Sequence, residues 1–271
     1  MRPIACVAVA ILALGCGFNS RDPIKEHARN RQALFDAIRP VKLSNCTFER
    51  VGDKHDGGYV MCGNLTGRAQ SLYSYGIAAS DEWGCTLSAR LQVPVHQYDC
   101  FELRRPPCAA ASPVFHEECV GPNSASKEGR LFDNIASQLS KNGDSGKLLL
   151  MKMDVEGSEW ESFMATPDAV FEKIDQLVVE FHGVEDSIFV DTMLRLKKHF
   201  HVVNVHYNNW TCHPDTTPHP ATTYEVLFVN KQIGVVDATA SAPFSSALDA
   251  PNNPLGPDCQ VAPATELKSP R

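Results

Sequence analysis

The stretch Leu148-Leu-Leu-Met-Lys-Met-Asp-Val-Glu-Gly-Ser-Glu-Trp160 decides how the chain is read. Lys147–Val155 is an apolar run of the kind buried on both faces of a parallel sheet. The chain leaves it through Asp154, Glu156 and Gly157, and a helix follows over Glu159–Met164. In open α/β sheets, ligands bind off the carboxyl ends of the strands. Asp154 and Glu156, two residues apart at such an edge, suit a base, a metal ligand or a hydrogen-bond acceptor. They equally suit a backbone cap at Asp154 and a favourable helix start from Glu156 and Glu159. On chemistry alone both readings stay open.

Outward from this stretch, strands and helices alternate. Ser71–Gly76 reads as a strand, and Asp81–Leu91 as a helix capped by Ser80 or Asp81. Val93–Asp99 and Val114–Val120 read as strands, the second following a loop opened by Pro106-Pro107. Leu131–Ser140 has helical spacing. Beyond the central run, Gln176–Phe181 is a fifth strand and Asp186–His199 a helix. His201–His206 and Tyr224–Asn230 follow as two further strands. The order predicts a doubly wound α/β sheet that ends on strands. Upstream, Ile24–Ile38 is an amphipathic segment stopped by Pro40. Thr47–Val51 and Tyr59–Cys62 form a hairpin through His55-Asp56-Gly57-Gly58. Residues 238–271, rich in Ala, Pro, Ser and Asn, read as a loosely ordered tail tethered by Cys259.

With 271 residues the chain accommodates one large α/β domain with a real core, or two small ones. A net charge of −7, with no run of Lys or Arg, excludes a nucleic-acid partner held by phosphate contacts. Arg2, the apolar segment Ile4–Leu14 and the small residues around Cys16 read as an export signal, too short to span a membrane. Ala13-Leu14-Gly15-Cys16 also resembles a bacterial lipobox, with its Leu one position out of register. Membrane attachment, if any, is expected through the N-terminus only. Eight further cysteines (Cys46, Cys62, Cys85, Cys100, Cys108, Cys119, Cys212, Cys259) predict disulfides in an exported chain. Cys46–Cys62 and Cys100–Cys108 are candidate pairs. Sequons stand at Asn45, Asn64 and Asn209 and are weak evidence for a eukaryotic lumen.

Lys152-Met-Asp-Val-Glu-Gly-Ser-Glu-Trp160 resembles the Lys-x-Asp-x-Glu-Gly-x-Glu signature of FkbM-like methyltransferases. Asp56-Gly-Gly-Tyr59, Ser74-Tyr-Gly-Ile77 and Tyr98-Asp-Cys-Phe101 are similar to segments of the related methyltransferase-like domain family of secretory-pathway proteins. Together they cover roughly residues 45–230. The resemblance implies a class I methyltransferase fold: a Rossmann-like sheet of seven strands, the last antiparallel, with helices on both faces. S-adenosyl-L-methionine would lie over the first strands. Carried onto this chain, Gly76 ends the first strand where backbone approaches the cofactor, and Asp99 ends the second, where an acid accepts the ribose hydroxyls. Asp154 ends the fourth. The alternatives are a simple turn glycine and a capping or surface aspartate. One departure stands out: the turn Gly76-Ile-Ala-Ala-Ser80 holds a single glycine, which also speaks against an NAD-binding fingerprint.

The fifth strand ends in Val178-Val-Glu-Phe-His182, and alternation puts Glu180 and His182 on one face. With Asp154 they form a candidate acid/base set; a structural His182 satisfied by a buried carbonyl is the competing reading. Asp154, His182 and His206 are also metal-ligand types, but no compact spacing supports a metal, and none is expected. The resulting plan is a signal at 1–16, a helix-and-hairpin extension at 17–70, a methyltransferase-type domain at 71–231 and a tail at 232–271. The expected activity is methyl transfer to a hydroxyl or carboxyl of a glycan, lipid or small metabolite outside the cytosol. The rival is an exported binding module that keeps the fold without the reaction.

Overall fold

The computed structural model describes residues 22–108 and 112–261. The export signal and Cys16 lie outside them. At the centre is a mixed seven-stranded sheet: β1 (Ser71–Tyr75), β2 (Pro94–Tyr98), β3 (Ser112–His116), β4 (Leu149–Met153), β5 (Ile174–His182), β6 (Phe200–Tyr207) and β7 (Thr223–Asn230). Their spatial order is 3-2-1-4-5-7-6. Neighbouring pairs among the first five strands run parallel, whereas β7 is antiparallel to both β5 and β6. The chain is therefore α/β, and its central sheet has seven strands with the last one reversed. The order turns back between β1 and β4, which opens a crevice at their carboxyl ends.

β1 and β4 lie at the middle of the sheet and are buried along their whole lengths. Strand alternation divides their side chains between two cores. Met151, Met153, Val179 and Phe181 meet helices α1 (Pro23–Ala37), α3 (Ile135–Lys141), α4 (Glu159–Ala165) and α5 (Ser187–His199) on one face. Leu150 and Val178 face α2 (Glu82–Leu91) and the hairpin Phe48–Gly52/Gly58–Cys62 on the other. Helices thus sit on both faces, and on the second the hairpin shares the covering with α2.

The helix starts carry the expected chemistry. Asp81 caps α2 by accepting from Gly84 N at 2.9 Å, and Asn134 caps α3 through Ser137 N at 3.0 Å. Two expected elements differ. The strand foreseen at Val114–Val120 stops at His116, and Cys119–Val120 joins a separate small sheet with Arg130–Asp133. The helix foreseen from Leu131 starts at Ile135, because Arg130–Asp133 is strand-paired and the Asn134 cap fixes the start.

The C-terminal segment corrects a larger expectation. Val236–Ser241 pairs with Val41–Leu43, Phe244 stacks on Phe35 with ring centroids 4.9 Å apart, and Asn252 is buried. The segment is packed as far as Val261, and only 262–271 fall outside the described residues. Four disulfides join Cys46–Cys62, Cys85–Cys108, Cys100–Cys119 and Cys212–Cys259. The expected Cys46–Cys62 pair and the Cys259 tether form. Cys100–Cys108 does not, because Cys108 returns to α2 while Cys100 is taken by the small sheet. Four disulfides fit an oxidising compartment. No helix among the described residues is long and apolar enough to cross a membrane.

The three sequon amides are occupied within the fold. Asn45 donates to Ile233 O, Asn64 to Asn45 O, and Asn209 to the carbonyls of Asn253, Gly256 and Pro257.

Candidate active site

Backbone hydrogen bonds tie the carboxyl ends of β1, β2 and β4 together: Gly76 N donates to Tyr98 O at 2.9 Å and Asp154 N to Tyr75 O at 3.1 Å. A Cβ on Gly76 would stand 1.6 Å from Asp154 O, so only glycine permits this approach. A pocket of about 320 Å³ opens above these ends. Gly76, Asp99 and Asp154 all line it, which unites the three strand-end residues singled out in the sequence. Tyr75, Tyr98, Phe101 and Phe132 give it aromatic walls, while Asp99, Glu102, Glu118, Asp154 and Glu156 make it acidic; among the described residues no Lys or Arg lines it. The buried Tyr75 hydroxyl has no hydrogen-bond partner among the described residues.

Asp99 proves to be a positioning residue. One of its oxygens accepts from Ile77 N at 3.1 Å and Ala78 N at 2.9 Å; the other accepts from Phe101 N at 2.9 Å and Glu102 N at 3.0 Å. Those four bonds fill the capacity of a carboxylate. They also explain how the glycine-poor turn survives. Ala78 and Ala79 hold left-handed backbone at φ 43° and 65°, which costs about 1–2 kcal/mol per residue. Two amide bonds to a charged acceptor, about 1.5–3 kcal/mol each, offset that strain. A similar bend closes β4, where Glu156 and Gly157 have φ 54° and 104°. The second value suits glycine and accounts for its place in the signature stretch.

Behind Asp154 lies a polar cluster on the hairpin face of the sheet. The buried Lys152 ammonium is 3.6 Å from Asp154 Oδ2, donates to Gly76 O at 2.5 Å, and sits 5.8 Å from the centre of the Tyr59 ring. The Tyr59 hydroxyl lies 3.5 Å from Asp154 Oδ2. Ligand-type atoms of Asp154, Glu180 and His182 all fall within 4.8 Å of one another, so the expected acid/base set does assemble. His182 Nδ1 bonds Glu159 at 2.8 Å, while Nε2 lies 3.4 Å from Glu156 and 3.5 Å from Glu180. Its partner is thus a buried carboxylate rather than a carbonyl.

The charges in this cluster follow from burial and neighbours. Burial raises the Asp154 carboxyl above its ordinary value against the pull of Lys152 and His182. Burial, with the Asp154 and Glu225 carboxylates nearby, pushes Glu180 up to about 7. For His182 burial works against the charge, but Glu159 and Glu180 carry it up to about 10. At neutral pH His182 is therefore an imidazolium and Glu180 sits near its midpoint. Of the three, only Asp154 lines the pocket.

His206 does not join Asp154 and His182. It lies on β6 beside Glu225, which faces Glu180 across the β5–β7 pairing. Reading the sequence left out Lys152, Tyr59 and Glu159 as members of the site. A lysine inside a strand buried on both faces was the available signal for the first, since a buried ammonium demands a carboxylate. The other two depend on how the hairpin and α4 dock, which spacing does not encode. Comparison with family models, with curated proteins and with solved structures returns no match.

Proposed function

We propose that the protein is an S-adenosyl-L-methionine-dependent methyltransferase that modifies a hydroxyl of a glycan, lipid or small molecule outside the cytosol. The observation that carries this reading is the pocket shared by Gly76, Asp99 and Asp154 at the crevice of a sheet ordered 3-2-1-4-5-7-6. Seven strands with the last one antiparallel are compatible with the Rossmann-like class I methyltransferase fold that the resemblance implies. The pocket also suits the chemistry of the cofactor: aromatic walls for a flat base, and five lining carboxylates for a cationic ligand. When bound, S-adenosyl-L-methionine supplies an electrophilic methyl group on a positively charged sulfur.

The chain's residues then have distinct tasks. Gly76 admits close backbone approach, and Asp99 holds the amides of Ile77, Ala78, Phe101 and Glu102 in place around the nucleoside. With Asp99 saturated, Glu102 is the lining carboxylate assigned to the ribose hydroxyls. Asp154, the carboxylate that reaches the pocket, takes the proton of the acceptor hydroxyl. Lys152 and Tyr59 fix its orientation. Glu180, close behind, exchanges protons with it, and the His182 imidazolium keeps the pair from accumulating negative charge. General-base assistance of this kind contributes about 10²–10⁴-fold.

The test is methyl incorporation from labelled donor into a panel of glycans, lipids and small alcohols, using protein with intact disulfides. Transfer is expected, and Asp154→Asn should slow it about 10²–10⁴-fold. Donor binding without transfer to any acceptor would favour the second reading, an exported binding module. The saturation of Asp99 by the chain's own amides is the observation on that side.

A further inference from the structure

A second polar cluster lies farther along the same edge. His206 on β6 and Glu225 on β7 are buried, and Asp249 reaches them from the C-terminal segment. Ligand-type atoms of the three fall within 4.8 Å of one another. His206 Nδ1 lies 3.4 Å from Glu225 Oε2. That is long for a hydrogen bond, whose usual N···O distance is about 2.9–3.0 Å. It matches the edge of a tetrahedron built on metal bonds of about 2.0–2.1 Å, which is about 3.3–3.4 Å.

His206 Nε2 is backed by Asp258 Oδ1 at 3.1 Å, the carboxylate–histidine arrangement that orients imidazole ligands. Asn204 Nδ2 holds both Asp249 oxygens, at 3.1 and 3.0 Å. Asn252 is 3% exposed and stands among the same acids: its Nδ2 reaches Glu225 at 2.9 Å and Asp56 at 3.2 Å, while its Oδ1 has no partner among the described residues. Glu225, Asp249 and Asp258 thus gather around one imidazole, with Asp56 joined to them through Asn252, and among the described residues no lysine or arginine makes an ion pair with any of them. A buried excess of carboxylate and an orphaned amide oxygen both call for a cation.

We infer that this cluster binds one divalent metal ion of the zinc or manganese class. His206 Nδ1, Glu225 and Asp249 are the ligands, the unpartnered Asn252 Oδ1 is the candidate fourth, and Asp258 stands behind His206. Because Asp249, Asn252 and Asp258 belong to the C-terminal segment, the ion clasps that segment to the ends of β6 and β7. It acts alongside the Cys212–Cys259 disulfide.

The test is calorimetric titration of chelator-stripped, disulfide-intact protein with Zn²⁺, Mn²⁺ and Ca²⁺ in separate runs. One equivalent of Zn²⁺ or Mn²⁺ should bind. Asp258→Asn should weaken binding about 10–100-fold, Asp249→Asn should weaken it further, and His182→Gln should bind as the unaltered protein does. A visible spectrum of four-coordinate Co²⁺ in the unaltered protein reports the same site without any substitution. No binding of Zn²⁺ or Mn²⁺, preference for Ca²⁺, undiminished affinity in Asp249→Asn and Asp258→Asn, loss in His182→Gln, or only the spectrum of free Co²⁺ would each overturn the assignment.

Discussion

The two carboxylate–imidazole clusters at the sheet edge share a wall, since Glu180 and Glu225 pair across β5 and β7, yet they resolve their charge in opposite ways. Around Asp154 the chain supplies its own cations, Lys152 and His182. Around Glu225 it supplies four carboxylates and a single imidazole. A cluster with internal counter-charges can hold carboxyls near neutrality and move protons. One with a single imidazole among several carboxylates keeps an excess of negative charge that a cation from outside would balance. The difference agrees with the acid/base work proposed for the first cluster and the metal proposed for the second, although both contain the same residue types.

The sharpest way to break this contrast is to remove the internal cation. Lys152→Met leaves Asp154 and its neighbours without their ammonium, and breaking a buried pair of this kind costs about 3–5 kcal/mol. Urea unfolding should show a loss of that order, and most of it should return in the double variant with Asp154→Asn. An unchanged midpoint in Lys152→Met would mean that the ammonium is not the counter-charge.

A smaller effect concerns His182. Its folded value of about 10 lies above the unfolded value of about 6.5. The imidazolium thus stabilises the fold fully below about pH 6.5, and that contribution disappears as the pH climbs to about 10. Unfolding measured across this window should show stability declining with pH, and His182→Gln should flatten the slope. An equal slope in the variant would remove His182 from the balance of the first cluster.

What could be read in the sequence, and what could not, divides along the same line. Strand alternation and the Lys152–Trp160 stretch were enough to bring Gly76, Asp99 and Asp154 to one edge, and Glu180 and His182 to one face. The role of Asp99 was not legible, because it depends on amides from two separate loops. The tail was misread for a related reason. Its Ala, Pro and Ser content carries no periodicity, and its burial depends on single contacts such as Phe244 on Phe35 and Asn209 with the 253–257 carbonyls. The second cluster draws on the hairpin turn, two strands and the tail, so no spacing motif announces it. Composition gives the number of disulfides, but only the docking of Cys108 against α2 decides its partner.

Calorimetric titration of S-adenosyl-L-methionine into disulfide-intact protein tests the central claim, that the strand ends at Gly76, Asp99 and Asp154 enclose a nucleoside site. One equivalent should bind, and Asp99→Ala, which frees the loop amides, should weaken binding by about tenfold or more, equivalent to about 1.4 kcal/mol. Absence of binding in the unaltered protein, or equal affinity in Asp99→Ala, would contradict it.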